Sequence, residues 1–232
     1  MGGLLIINPS FNFDLLNEFP EEELIGKGKP ALFGDDFKLR NEAFLQFNMM
    51  RIAAKEAGFT IHIISSYRSY THQNGIWERK YKNYRNQGLS HEKTIAKIIE
   101  YSTIPGTSRH HWGTDLDIID STKGIPSNPL SETHFNEGGR MRNFKRWLDE
   151  NSEKFGFYLV YTDVPGRKGF AYEPWHFSYK PLSFKMLKEY KELDIKKILQ
   201  QNKLMGSEYF SDEFVEKYKQ ENILDINPEL LV

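Results

Sequence analysis

The stretch Ser108-Arg109-His110-His111-Trp112-Gly113-Thr114-Asp115-Leu116-Asp117 decides how this chain is read. Pro105 and Gly106 break the helical pattern ahead of it, so residues 107–114 read as a loop, and 115–119 (DLDII) read as a strand. Two further segments belong with it: Ser65-Ser66-Tyr67-Arg68-Ser69, with Gln73 five residues past the arginine, and Glu173-Pro174-Trp175-His176.

Upstream, Ala43, Phe44, Phe47, Met50 and Ala54 make one apolar stripe of a helix that starts near Leu39 and stops at Gly58. Residues 59–64 alternate, with Phe59, Ile61 and Ile63 on one face, and read as a strand. A polar turn at 65–69 leads into a helix over about 70–84, and Ser90 caps another over 92–101. Downstream, 121–139 is turn-rich. Residues 140–155 form an amphipathic helix with Phe144, Trp147 and Leu148 toward the core, ended by Gly156. Residues 157–161 and 172–179 are strand candidates, and the charged stretch from Leu182 is helical in propensity. Helices and strands mix without a regular βαβ rhythm, which predicts an α+β fold. The expected organisation is an irregular N-terminal arm over 1–38, a main domain over 39–180, and a helical C-terminal extension over 181–232 packed on the same domain.

Composition narrows the function classes. The 232 residues suffice for one full core. With 39% apolar residues, 27% charged residues and a net charge of -1, a soluble globular protein is expected, with no case for a nucleic-acid partner. The absence of cysteine excludes thiol nucleophiles, disulfides and thiolate metal sites, so any transition-metal site must use His, Asp and Glu. Residues 4–7 are apolar but far too short to span a membrane, and Met1-Gly2-Gly3 lacks the basic start of a signal peptide.

A catalytic zinc takes three N or O ligands and leaves a fourth position for water. His110, Asp117 and His176 can supply that set. Glu173, three residues before His176, is a candidate general base, and Pro174 disfavours helical geometry there. Arg68 is a candidate for meeting the oxyanion of an amide under attack. Singly, each residue also fits a plainer part: His176 as a structural histidine beside Trp175, Asp117 as a cap, Arg68 as an ion-pair partner, Trp112 and Trp175 as core.

Taken together, the three segments resemble the LAS group of zinc peptidases, and most closely its VanY-type D-alanyl-D-alanine carboxypeptidases. Ser108, His110, Gly113 and Asp117 match one motif of that group; Glu173, Trp175 and His176 match another; Ser65, Tyr67, Arg68, Ser69 and Gln73 match a third. The resemblance covers roughly residues 39–180. It implies a small antiparallel sheet, flanked by helices, holding one Zn2+ on His110, Asp117 and His176. It makes Glu173 the base, Arg68 the oxyanion or substrate clamp, and Gln73 and Ser108 neighbours of the terminal D-residue; Trp175 is carried as a substrate-binding candidate. The implied activity is hydrolysis of peptidoglycan peptides with release of a C-terminal D-amino acid. L,D-carboxypeptidase, dipeptidase and endopeptidase activities use the same site, and a non-catalytic zinc-binding wall-recognition module is the other reading. A monomer is expected, in the periplasm or outside the cell, any export signal having been removed from this chain. Asp115 departs from the pattern, which has a small Ala there. It shares a strand face with Asp117, and could crowd the metal, add charge, pair with Arg109 or be turned aside by strand curvature. Either 120–139 or the arm could close the cleft.

Overall fold

A computed structural model of the protein describes residues 18–201 and 203–232. Residues 4–7 and the rest of the expected arm before Glu18 lie outside them. Strands β1 (Ile61–Ser65), β2 (Asp115–Asp120), β3 (Phe157–Leu159) and β4 (His176–Tyr179) form one antiparallel sheet in the order β1-β2-β4-β3. Helices surround it, so the fold is α+β with a small antiparallel sheet.

The alternation of β2 divides the two faces of the sheet. Leu116, Ile118, Phe177 and Tyr179 point one way and are buried. Helices α2 (Asn41–Glu56) and α5 (Arg142–Asn151) cover that face: Phe47, Met50, Ala54, Phe144 and Leu148 share one apolar cluster with the strand residues. Ala43, Phe47, Met50 and Ala54 recur at the three- and four-residue spacing that makes an apolar stripe. Phe44, at the border of that stripe, is only partly buried and packs beside Phe37.

Asp115, Asp117, His176 and Ser178 occupy the other face. Asp117 lies directly opposite His176 in the β2–β4 ladder, and Asp115 directly opposite Ser178. Such pairs hold their Cβ atoms about 4.5–5.5 Å apart. Register alone therefore brings together two side chains that are remote along the chain.

A second apolar cluster joins helices distant in sequence. Trp77 of α3 (Tyr70–Asn86), Ile98 of α4 (His91–Ile99), Tyr190 of α6 (Lys180–Lys191), Leu199 of α7 (Ile195–Gln201) and Val215 of α8 (Asp212–Tyr218) are members. So are Leu24, which ends the one-turn helix α1 (Glu21–Leu24), and Ile25.

Three expected elements differ. Residues 172–175 are not strand, because Pro174 has no N–H for a ladder; the His176 N–H instead donates to Glu173 O at 3.0 Å, closing a turn. The loop before β2 contains a 3-10 turn, Arg109–Trp112. The expected 140–155 helix divides into α5 and a 3-10 turn, Ser152–Phe155.

Candidate metal centre

The segment after β1 and the turn before β2 are fastened to each other by their backbones. Arg68 N–H donates to His110 O at 3.1 Å, and His111 Nδ1 lies 2.6 Å from Arg68 O. His111 Nε2 accepts from Gly106 N–H at 3.2 Å, so its proton is on Nδ1 and it donates to Arg68 O. Burial lowers its pKa to about 3, which keeps the ring neutral. His111 is therefore a brace behind the site. Trp112 is another brace: it donates from Nε1 to Leu24 O at 3.1 Å and packs on Tyr190. Gly113 ends the turn with φ +68, and a Cβ on it would lie 2.7 Å from Leu32 Cδ2. Glycine meets both constraints at that point.

His110, Asp117 and His176 are all buried, and each offers a ligand atom within 4.8 Å of the others. His110 Nδ1 sits 2.8 Å from Ser66 O, and a carbonyl can only accept, so Nδ1 carries the proton. Its Nε2 lone pair then faces Asp117 Oδ2 at 3.4 Å and makes no hydrogen bond, though fully buried. Burial, then the Arg68 charge, lowers the His110 pKa, which keeps the ring neutral. A lone pair facing a carboxylate in a buried site is unfavourable without a cation between them. The donor set thus fits a divalent ion, and its N/O chemistry suits zinc.

His176 stands opposite. Its Nδ1 is 3.8 Å from Asp117 Oδ1 and 2.9 Å from Glu173 Oε2, while Nε2 meets Asp115 Oδ2 at 3.0 Å. Burial opposes the imidazolium, but hydrogen bonds to Asp115 and Glu173 outweigh it and raise the pKa to about 10. Asp117 is pushed up by burial, yet its neighbours His110, His176 and Arg68 together hold it at about 2. Glu173 is raised by burial, against the pull of His176. The turn that closes on Glu173 O is what puts this carboxylate beside His176.

Arg68 completes the floor, with Nη2 at 3.6 Å from Asp117 Oδ2 and Nη1 donating to Gln73 Oε1 at 2.9 Å. Gln73, fully buried, spends its amide on Thr103 O at 2.9 Å, so both its polar ends are engaged within the protein. It stands behind Arg68 and not on the cleft wall.

The three ligand-bearing residues open onto a cleft of about 700 Å3. Arg68, Ser108, Glu173 and Trp175 line it with them. Of the two segments that could close it, 120–139 contributes Asn128, Leu130, Ser131 and Glu132, whereas no described residue of 18–38 lines it. Two neighbours carried no sequence signal. Tyr161 presents its ring edge-on to His176 at 5.1 Å, and Phe170 packs on Tyr161. Ser178 does carry a sequence signal, since it lies two residues past His176 on the same strand face. Of the other histidines, His72 lines the cleft, His91 stacks on Tyr209, and His134 bonds Asn128 O at 2.9 Å.

Three ligand atoms converging at the base of an open cleft, with a carboxylate at one side and a guanidinium at the other, are the layout of a mononuclear metal centre. The chain belongs to the VanY family of D-alanyl-D-alanine carboxypeptidases, whose model matches residues 36–182. An Enterococcus faecalis protein named D-alanyl-D-alanine carboxypeptidase is 33% identical over 128 residues, 55% of this chain and 42% of that protein. A VanY D,D-pentapeptidase variant from a VanB-type resistance cassette, solved in complex with Zn(II), superposes with a TM-score of 0.53 at 25% identity, covering 71% of this chain and 85% of that one. The LdcB LD-carboxypeptidase superposes with a TM-score of 0.53 at 25% identity, covering 80% and 79% of the two chains. This chain spans about half the length of the curated relatives it matches.

Proposed function

We propose that this protein is a zinc-dependent carboxypeptidase that hydrolyses peptidoglycan peptides and releases a C-terminal D-amino acid. The buried His110 Nε2 lone pair, aimed at Asp117 with no hydrogen bond, carries the metal reading. The substrate class rests on family membership and on the activity for which the Enterococcus faecalis relative is named.

His110 through Nε2, Asp117 through its carboxylate and His176 through Nδ1 would hold the ion. When bound, zinc supplies Lewis acidity and lowers the pKa of a water from 15.7 to about 7. Glu173 takes the proton of the attacking water and delivers it to the leaving amine nitrogen; burial, which raises its pKa, fits it to both halves of that shuttle. Arg68 faces the negative charge that develops on the carbonyl oxygen, and Gln73 acts through Arg68 by fixing its fork. Ser108 and Trp175 bound the cleft where the terminal residue sits.

The described arm and the extension 181–232 work as part of the domain at 39–180, since Leu24, Ile25, Leu199 and Val215 share a cluster with Trp77. No described helix is long and apolar enough to cross a membrane. A peptidoglycan substrate supports a location in the periplasm or outside the cell, and a monomer is the proposed state.

L,D-carboxypeptidase activity is the second reading, favoured by the extent of the match to LdcB. Zinc-loaded protein should release D-Ala from a muramyl pentapeptide and lose this activity on chelation; release from a tetrapeptide alone favours the L,D reading. Release of no amino acid from either peptide overturns both.

A further inference from the structure

We propose that Asp115 is a positioning residue that fixes His176 as an Nδ1 ligand, so that ion affinity depends on a carboxylate that never touches the ion. The inference rests on the zinc reading above.

The register decides which ring nitrogen Asp115 can reach. Asp115 and Ser178 are the facing pair next to Asp117 and His176, on the same side of the sheet. Asp115 therefore meets His176 at Nε2, 3.0 Å from Oδ2, while Asp117 and Glu173 meet it at Nδ1. The two nitrogens lie on opposite edges of an imidazole, so Asp115 cannot share an ion with Nδ1 of that ring. Carboxylate crowding of the metal, one of the expectations for this residue, is ruled out by this geometry.

Asp115 is itself immobilised. Oδ1 accepts from Thr114 Oγ1 at 2.8 Å and Ser178 Oγ at 2.7 Å; Oδ2 accepts from Arg109 Nε at 3.0 Å as well as from His176. Arg109 is anchored in turn, donating from Nη2 to Ser178 Oγ at 2.7 Å and lying over the Trp112 ring at 4.7 Å. With Asp115 and Ser178 fully buried and Arg109 only 5% exposed, water does not compete for these bonds. Arg109 balances the charge of Asp115, leaving Asp117 as the anionic ligand. The result is a carboxylate–imidazole pair that holds the proton on Nε2, sets the ring plane and makes Nδ1 a better donor. Losing such a partner commonly weakens metal binding about 10–100-fold.

The test has two arms. Zinc dissociation constants, from competition with a chromophoric chelator, are compared among wild type, Asp115→Asn and Asp115→Ala, beside the melting temperature of each ion-free protein. We expect about 10–100-fold weaker binding for Asp115→Ala and a smaller loss for Asp115→Asn, which keeps an acceptor. A merely structural residue would lower the melting temperature and leave the dissociation constant unchanged. If the single variants fail to fold because Arg109 is left unpaired, Asp115→Asn combined with Arg109→Gln removes both charges, with the same weakening expected. The second arm needs no substitution: 15N spectra of the histidines in zinc-loaded wild type should show His176 protonated at Nε2 and metallated at Nδ1. Folded variants binding zinc within twofold of wild type, or a His176 proton on Nδ1, overturn the inference and leave the zinc reading standing. Wild type that binds no zinc overturns both.

Discussion

Replacing Glu173 by Gln separates the chemistry of the site from its construction. The substitution keeps the side-chain volume and a hydrogen-bonding group beside His176 Nδ1 but removes the only group assigned to move a proton. Nearby carboxylates cannot take over. Asp115 has four donors on its two oxygens, and Asp117 is one of the three proposed ligands. General acid–base groups contribute about 10²–10⁴-fold, and the lack of a substitute puts the expected loss at the upper end, about 10³–10⁴-fold in kcat. That is about 4–5.5 kcal/mol of barrier. Zinc affinity should stay within about threefold, because Glu173 is not among the three ligands, and KM should change little. D-Ala release from a muramyl pentapeptide, followed through a coupled D-amino acid oxidase, gives the turnover, and metal analysis gives the zinc content. A zinc-replete Glu173→Gln variant that turns over within tenfold of wild type would refute the assignment of the base.

Arg68→Ala should cost about 2.7–4 kcal/mol of barrier, read as kcat in the same assay with zinc content unchanged; Arg68→Lys should recover little, since one ammonium cannot serve both Gln73 and Asp117 as the fork does. Zinc affinity should fall with pH by up to about tenfold per unit between pH 8 and 6, because His176, with a pKa of about 10, must lose one proton to the ion whereas His110 and Asp117 have none to lose; calorimetry across that range checks the slope. The sign for the ion-free protein follows from the same group: the raised His176 pKa adds stability that is fully present below the unfolded value of about 6.5 and lost as pH rises toward about 10, so its melting temperature should drop across that window. Gly113→Ala should destabilise by about 1–2 kcal/mol through its φ of +68 and the contact with Leu32, a fall of roughly 2–8 °C by calorimetry.

The sequence carried the site further than it carried the sheet. His110, Asp117, His176, Glu173 and Arg68 were legible because three segments together resemble the motifs of one family; spacing alone left each a plainer part. The structure brings these side chains within reach of one another. The strand at 115–119 was legible after the break at Pro105 and Gly106. The pairing of Asp117 with His176 was not, since register between strands so far apart depends on how Leu116 and Phe177 pack beneath them. Residues 172–175 were expected to be strand, yet Pro174 has no N–H for a ladder and the chain turns there instead. Gln73 was expected near the substrate, yet it lies behind Arg68: the first turn of α3 directs its side chain inward to Thr103 O. Asp115 left four outcomes open, and only the positions of Arg109, Ser178 and Thr114 select among them.

One divalent ion is proposed to sit between His110, Asp117 and His176. Zinc-edge anomalous diffraction from crystals of the zinc-loaded protein tests it most directly. One peak is predicted, about 2.0–2.2 Å from His110 Nε2, an Asp117 oxygen and His176 Nδ1. A map with no peak there, or with zinc bound only at surface carboxylates, would contradict it.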